Sequence, residues 1–413
     1  MHDGPHAHHG GITMTQFSQI EGGVLVAQEF VAAANASGIK PEGLDTMLLH
    51  SRLPASAAAT ITSNRFRAAP TFVTERHVAD GSARTVIATS GNANAATGAQ
   101  GMANAEMMAS LAALETHVPV SEALVCSTGR IGIQLPMDRV EAGIRACGKA
   151  LSRSSAHEAA RAIMTTDTFP KEVSVEFEVG GRRVGLGAIC KGAGMICPNM
   201  ATMLCFICTD LAISPAALNS ALGCAVARSF NCISVDGDMS TNDTVIALAN
   251  GASDAPMIAT PNDPGYAAFA EALGFVTQDL AKKIARDGEG SSKFVIVEVT
   301  GAASYEQAHA VARAVTKYNL VKTCIWGEDF NWGRVAAAIG ASGMDVDPAT
   351  VQIAIGGLTA FAAGEPVEYD LYQAGTIMKS DEIEITIDLG VGQQSATCWS
   401  CDLTPTFVEL NAH

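Results

Sequence analysis

The stretch "KGAGMICPNMATMLCFICTD" spans residues 191–210, near the middle of the chain. A lysine, a Gly-x-Gly loop and a Pro-Asn turn run into Ala201-Thr202, and an apolar β-type run follows. A short continuous apolar run bounded by turn residues reads as a strand buried on both faces. That places a threonine where a tight polar loop enters a buried sheet. A threonine hydroxyl needs a base beside it to act as a nucleophile, and the residue's own α-amine supplies one once the preceding peptide bond is cut. A free α-amine titrates at about 7.7–8.0, close to what a general base needs at neutral pH. The loop Gly192, Gly194, Pro198, Asn199 suits presentation of the Ala201 carbonyl to the Thr202 hydroxyl. The plainer reading of Thr202 is a good β-former at a strand start.

Outward from this stretch, strand patterns fall at 46–50, 84–89, 122–128, 172–179, 293–300, 351–356 and 382–389, several alternating with period two. Helical patterns fall at 102–116, 138–151, 155–164, 214–230, 264–286 and 303–318. The fourth has Ser214 as N-cap and Pro215 at the first helical position. Segment 252–264, rich in Pro, Asp and Asn, reads as a surface loop. Strands and helices alternate in places and cluster in others. This predicts an α/β fold of stacked β-sheets covered by helices, not a clean doubly wound parallel sheet.

The chain has 413 residues, 48% hydrophobic and 16% charged, enough apolar material for a large core. Its 26 basic and 42 acidic side chains leave a net charge of −16. That charge disfavours nucleic acid or an anionic membrane surface as the main partner. Eleven cysteines, mostly in apolar stretches, point to free buried thiols in a reducing cytoplasm. No secretory or membrane-spanning pattern is visible. Residues 1–14, with His2, His6, His8 and His9, read as a disordered leader or tag.

Two motifs resemble metal sites. Cys205-x-x-Cys208 and Cys398-x-x-Cys401 have zinc-knuckle spacing, but residues three apart on a strand point to opposite faces. "DGDMSTND" (236–243) alternates oxygen ligands like a calcium loop, yet lacks the sixth-position glycine and the twelfth-position glutamate. It reads better as a hydrogen-bonded turn. The histidines show no ligand spacing, and no metal and no cofactor are expected.

"KGAGMICPNMATML" closely resembles the central motif of the ornithine acetyltransferase family. So do "TSNRFRAAP" (62–70), "SGNANAATG" (90–98), "CSTGRIGIQLPMD" (126–138), "AIMTTDTFPKEV" (162–173), "DGDMSTNDT" (236–244), "DGEGSSK" (287–293), "LVKTCIWGEDFNWGR" (320–334) and "CDLTPTFVELN" (401–411). The blocks occur in family order and cover nearly the whole chain after the leader. The resemblance implies an α-β-β-α-like sandwich that cuts itself between Ala201 and Thr202. It gives an α subunit, 15–201, and a β subunit, 202–413, opening with the nucleophile Thr202. The halves stay associated, and an α2β2 heterotetramer is implied.

Carried over residue by residue, Thr128 and Gly129 form the oxyanion hole, and Thr165, Lys191, Glu289 and Asn411 contact substrate. Each has a plainer reading alone: a strand-end glycine, a helix-end hydroxyl, a surface lysine, a turn carboxylate. The implied activity is ping-pong transfer of acetyl from N-acetylornithine to glutamate through acetyl-Thr202. Family members divide over whether acetyl-CoA also serves as donor. Two departures bear on acceptor choice: Phe330 stands where a proline is usual, and the sequence stops at His413 where relatives continue. The short C-terminus keeps open a secondary-metabolism acyltransferase with another acceptor, and an amidase or aminopeptidase of similar architecture, in which water takes the acyl group, is the other alternative.

Overall fold

The structure, a computed structural model, describes residues 17–196 and 203–412. The leader 1–14 and the Ala201-Thr202 junction lie outside the described residues. Three sheets organise the rest. A four-stranded sheet is ordered Phe30–Asn35, Thr46–Ser51, Thr85–Asn92, Ala123–Arg130, its last two strands parallel. A six-stranded sheet runs Ser18–Gln19, Lys171–Val179, Arg182–Lys191, Leu204–Thr209, Thr244–Ala249, Ser56–Ile61. A seven-stranded sheet is built entirely from residues 233–401.

The first two sheets pack face to face. Met47, Leu49, Val86 and Leu124 of the smaller sheet meet Ile189, Leu204, Phe206 and Leu248 of the larger in one dry cluster. Helices Gly98–Thr116 and Met137–Ala150 cover the outer face of the four-stranded sheet. Helices Pro215–Ala227 and Tyr266–Arg286 lie on the other side of the six-stranded one. This is the expected α-β-β-α sandwich. The seven-stranded sheet adds a further layer, with Tyr266–Arg286 touching both it and the six-stranded sheet.

Local chemistry explains the elements. In Tyr266–Arg286, buried Phe269, Leu273, Val276, Leu280 and Ile284 recur at helical spacing. Ser214 accepts the Ala217 amide at 3.2 Å and Pro215 opens the helix behind it, as expected. Strand Glu382–Asp388 alternates exposed and buried positions, whereas Leu204–Thr209 is buried throughout. Cys205 faces the helix side of its sheet and Cys208 the inter-sheet core, so the pair cannot chelate together. Among the described residues no helix is long and apolar enough to cross a membrane.

Candidate active site

Parallel strands Thr85–Asn92 and Ala123–Arg130 end at a cavity of about 710 Å³. Its lining includes Thr128, Gly129, Thr165, Lys191, Glu289 and Asn411, which come from widely separated parts of the chain. All the predicted substrate and oxyanion residues among the described residues therefore share one cavity.

Gly129 is registered against Gly91 on the neighbouring strand and has φ +132°. A Cβ there would fall 2.3 Å from the Gly91 carbonyl carbon, so only glycine allows the two backbones to approach this closely. Asn242 braces the same turn: its Nδ2 donates to the Ala93 carbonyl at 2.6 Å and the Ser127 carbonyl at 2.7 Å. The buried Thr128 and the Gly129 amide thus sit on a braced strand end beside the cavity.

Lys191 closes strand Arg182–Lys191 and is only 2% exposed. Burial lowers its pKa, opposed by the carboxylates of Asp167, Asp243 and Glu289. Asp167 accepts from Lys171 Nζ and the Gly192 amide, both at 2.7 Å, and from the Thr165 amide at 3.0 Å. Burial pushes this carboxyl up, but Lys191 and Lys171 outweigh it and hold Asp167 at about 2. Lys171 is itself shared with Asp287 at 2.6 Å, all three side chains being almost wholly buried. This buried ion cluster fixes the loop that carries Thr165 and the turn after Lys191.

Glu289 is seated by its backbone N–H, which donates to the Ala193 carbonyl at 3.0 Å. Gly194 faces its carboxylate so closely that a Cβ would lie 2.3 Å from it. Asn411, at the end of helix Pro405–Asn411, donates Nδ2 to Glu289 Oε2 at 2.9 Å. Two predicted substrate residues 122 positions apart are thus directly bonded.

The turn 236–243 grips both flanks of the predicted cut. Asp236 accepts the Met195 amide at 2.5 Å and the Ile196 amide at 2.9 Å. Asp243 accepts the Met203 amide at 2.9 Å. Asp243 is 1% exposed, and among the described residues its Oδ2 has no hydrogen-bond donor. Burial raises its pKa well above the usual range, with the Met203 amide and Lys191 acting the other way. The expected hydrogen-bonded turn is therefore found, and Ser240, Thr241 and Asn242 line the cavity beside it.

Sequence reading missed four contributors: Asn242, Asp243, Asp167 and Lys40. The first three sat in quoted blocks ("STND", "MTTD") without an assigned role. Lys40 lines the cavity with Nζ bonded to the Met164 carbonyl at 3.0 Å, and no local pattern marked it. Phe330 packs on Tyr369 with ring centroids 4.8 Å apart and is not part of the cavity wall.

Comparison with known proteins gives a consistent result. The sequence model of the ArgJ family matches residues 31–413. The arginine biosynthesis bifunctional protein ArgJ of Symbiobacterium thermophilum is 50% identical over 395 residues, covering 95% of this chain and 98% of that protein. Its namesake from Listeria monocytogenes is 41% identical over 394 residues, with the same coverage. A crystal structure of the ArgJ protein from Bacillus halodurans is 42% identical and covers 49% of this chain and 95% of its own, with a TM-score of 0.48. A family match over nearly the whole chain, with relatives this similar along their full length, makes this chain a member of the ArgJ family.

Proposed function

We propose that this enzyme is a glutamate N-acetyltransferase of the ornithine acetyltransferase type, and that it works through a self-released Thr202. The observation that carries the reading is the single cavity lined by Thr128, Gly129, Thr165, Lys191, Glu289 and Asn411. Both described flanks of the 197–202 segment are tied to the turn beside that cavity. Met203, the next residue in the chain after Thr202, donates its amide to Asp243, whose carboxylate interacts with Lys191.

In maturation the Thr202 hydroxyl attacks the Ala201 carbonyl, the peptide C–N bond breaks, and water hydrolyses the resulting ester. The products are 15–201, with the leader where present, and 202–413. In turnover the Thr202 hydroxyl, its proton taken by the freed α-amine, attacks the acetyl carbonyl of N-acetylornithine. The tetrahedral oxyanion is held by Thr128 and Gly129. Collapse breaks the amide C–N bond, ornithine leaves with the proton, and acetyl-Thr202 remains. The amine of glutamate then attacks the ester carbonyl, the C–O bond to Thr202 breaks, and the proton lost by the amine returns to the Thr202 oxygen, giving N-acetylglutamate and free Thr202. Lys191 suits the α-carboxylate common to both amino acids, and Glu289 suits the second amine of ornithine. The lysines and the glutamate lining one cavity fit a zwitterionic substrate better than an apolar one. The two halves remain one particle, assembling as α2β2.

The test is an intact mass spectrum of wild type beside Thr202→Ala. Two fragments meeting at 201/202 in wild type, an uncut variant, and an acetyl-sized gain on the second fragment with N-acetylornithine are expected. An active wild type that remains one chain overturns the mechanism. Release of acetate in place of glutamate-dependent transfer would assign a hydrolase instead.

A further inference from the structure

We propose that Cys232, His309 and Cys398 form a binding site for a soft divalent cation of the zinc type, clamping two segments that run to the cavity. The site does not rest on the acetyl-transfer reading, and it departs from the metal-free expectation drawn from sequence spacing.

The three side chains come from three elements. Cys232 ends the turn Phe230–Cys232, Cys398 lies in strand Gln394–Cys401, and His309 is on helix Tyr305–Lys317. Ile233 and Trp399 are register partners in parallel strands, so Cys232 and Cys398 stand side by side one residue earlier. The two sulfurs and a ring nitrogen all lie within 4.8 Å of one another. Tetrahedral zinc, with bonds of about 2.3 Å to sulfur and 2.0–2.1 Å to nitrogen, needs ligand atoms roughly 3.5–3.8 Å apart. Small side-chain rotations close that gap.

The chemistry of the donors selects the ion. Two thiols and an imidazole suit zinc, cobalt or copper(I) and offer nothing to magnesium or calcium. Both cysteines are buried, at 2% and 0% exposure, while His309 is half-buried and leaves a route inward. His309 Nε2 lies 3.2 Å from the Asn231 carbonyl, which can only accept, so Nε2 carries the proton and the neutral ring keeps its lone pair on Nδ1. Nδ1 is then the nitrogen a cation would take, with the Asn231 carbonyl fixing the tautomer as backbone carbonyls do for metal-binding histidines. Tyr305 stacks on the ring at 5.6 Å and 11°, restricting its rotation.

A hydrogen bond from Cys398, against the effect of burial and with His309 adding to it, holds Cys232 below the ordinary thiol range. Burial pushes Cys398 up. Thiols give up their protons to hold a cation, so binding releases protons and strengthens with pH. Arg228, over the Tyr305 ring, and Arg313, bonded to the Asn231 carbonyl at 2.8 Å, do not oppose this. A divalent ion with two thiolates is neutral overall.

The consequence follows from connectivity. Four residues after Cys232, Asp236 binds the Met195 and Ile196 amides, and four residues after Cys398, Asp402 binds the Ser292 amide at 2.8 Å and leads into the helix bearing Asn411. A bound cation ties both segments to helix Tyr305–Lys317.

The test is an anaerobic cobalt(II) titration of the reduced full-length protein. The leader histidines bind cobalt too, but the leader has no cysteine. The expected result is a thiolate-to-cobalt charge-transfer band with tetrahedral visible bands, displaced by zinc, lost in Cys232→Ser/Cys398→Ser and weakened in His309→Ala. Zinc should raise the thermal midpoint of wild type and not that of the double variant. X-ray absorption of the zinc-loaded wild type, which needs no variant, should count two sulfurs. A wild type without the band, a band that survives the double substitution, or zinc with only nitrogen and oxygen neighbours overturns the proposal.

Discussion

Gly129 shows how a single backbone position limits the chemistry. Its φ of +132° and the 2.3 Å approach of a would-be Cβ to Gly91 leave no room for a side chain. Gly129→Ala is expected to lower kcat by at least about 10²-fold, the typical cost of one lost oxyanion donor, and to reduce thermal stability as well. Steady-state kinetics with N-acetylornithine and glutamate, beside a melting curve, check both. Asp167 supplies a pH-dependent test. Its folded pKa, about 2, lies below the ordinary carboxyl value of 3.8. The ionised form is therefore favoured by folding, so its contribution is fully present above the unfolded value and is lost as pH falls towards 2. That contribution is on the order of 2 kcal/mol. Denaturant midpoints should fall more steeply between pH 4 and 2 in wild type than in Asp167→Asn. Equal slopes would show that the charge cluster carries no such linkage.

Among the elements, the turn 236–243 and helix Pro215–Ala227 make contrasting cases. Asn242→Ala removes three buried bonds, the two to the Ala93 and Ser127 carbonyls, which are left stranded, and the one its Oδ1 accepts from Thr241 at 2.6 Å. A loss of about 2–4 kcal/mol is expected, each stranded group costing about 1–3 kcal/mol, together with reduced kcat because the Thr128-Gly129 turn loses its brace. Ser214→Ala removes the N-cap and the hydroxyl's bond to the Ala259 carbonyl at 2.6 Å, about 1–2 kcal/mol together, and should leave kinetics unchanged. The two variants separate stability from site geometry in one set of urea titrations and rate measurements. Elements also differ in how visible they are in sequence. The helix at 264–286 and the strand at 382–389 announce themselves by period. Strands Phe30–Asn35 and Ser56–Ile61, written "FVAAAN" and "SAAATI", do not. Alanine favours helix, and these runs become strands only because Thr46–Ser51 and Thr244–Ala249 pair with them.

For the whole molecule, the predicted cut has a topological consequence. In the six-stranded sheet, Leu204–Thr209 and Thr244–Ala249 of the second half are inserted between Arg182–Lys191 and Ser56–Ile61 of the first. Separating the halves would break two hydrogen-bonded strand edges and open the core between the sheets. The cleaved enzyme is therefore expected to elute as one particle in native buffer and to resolve into two bands only on denaturation. Fragments that part in native size-exclusion chromatography would contradict this packing. The buried cluster of Lys171, Asp167 and Asp287 crosses the same seam, since Asp287 belongs to the second half.

The sequence by itself determined the α/β class, the main amphipathic helices, the buried strand after Thr202 and, through its motif blocks, the family and six of the cavity residues. These features are local or carried in short contiguous strings, and hydrophobic period and motif order report them directly. Only the tertiary structure decided that Asn411 bonds Glu289, that Asn242 braces the Thr128-Gly129 turn and that Lys40 joins the wall. It alone brought Cys232, His309 and Cys398 together from positions whose spacing shows no ligand pattern. The reason is physical: such contacts are set by strand register and sheet stacking between residues tens to hundreds of positions apart, and no periodicity along the chain encodes that pairing.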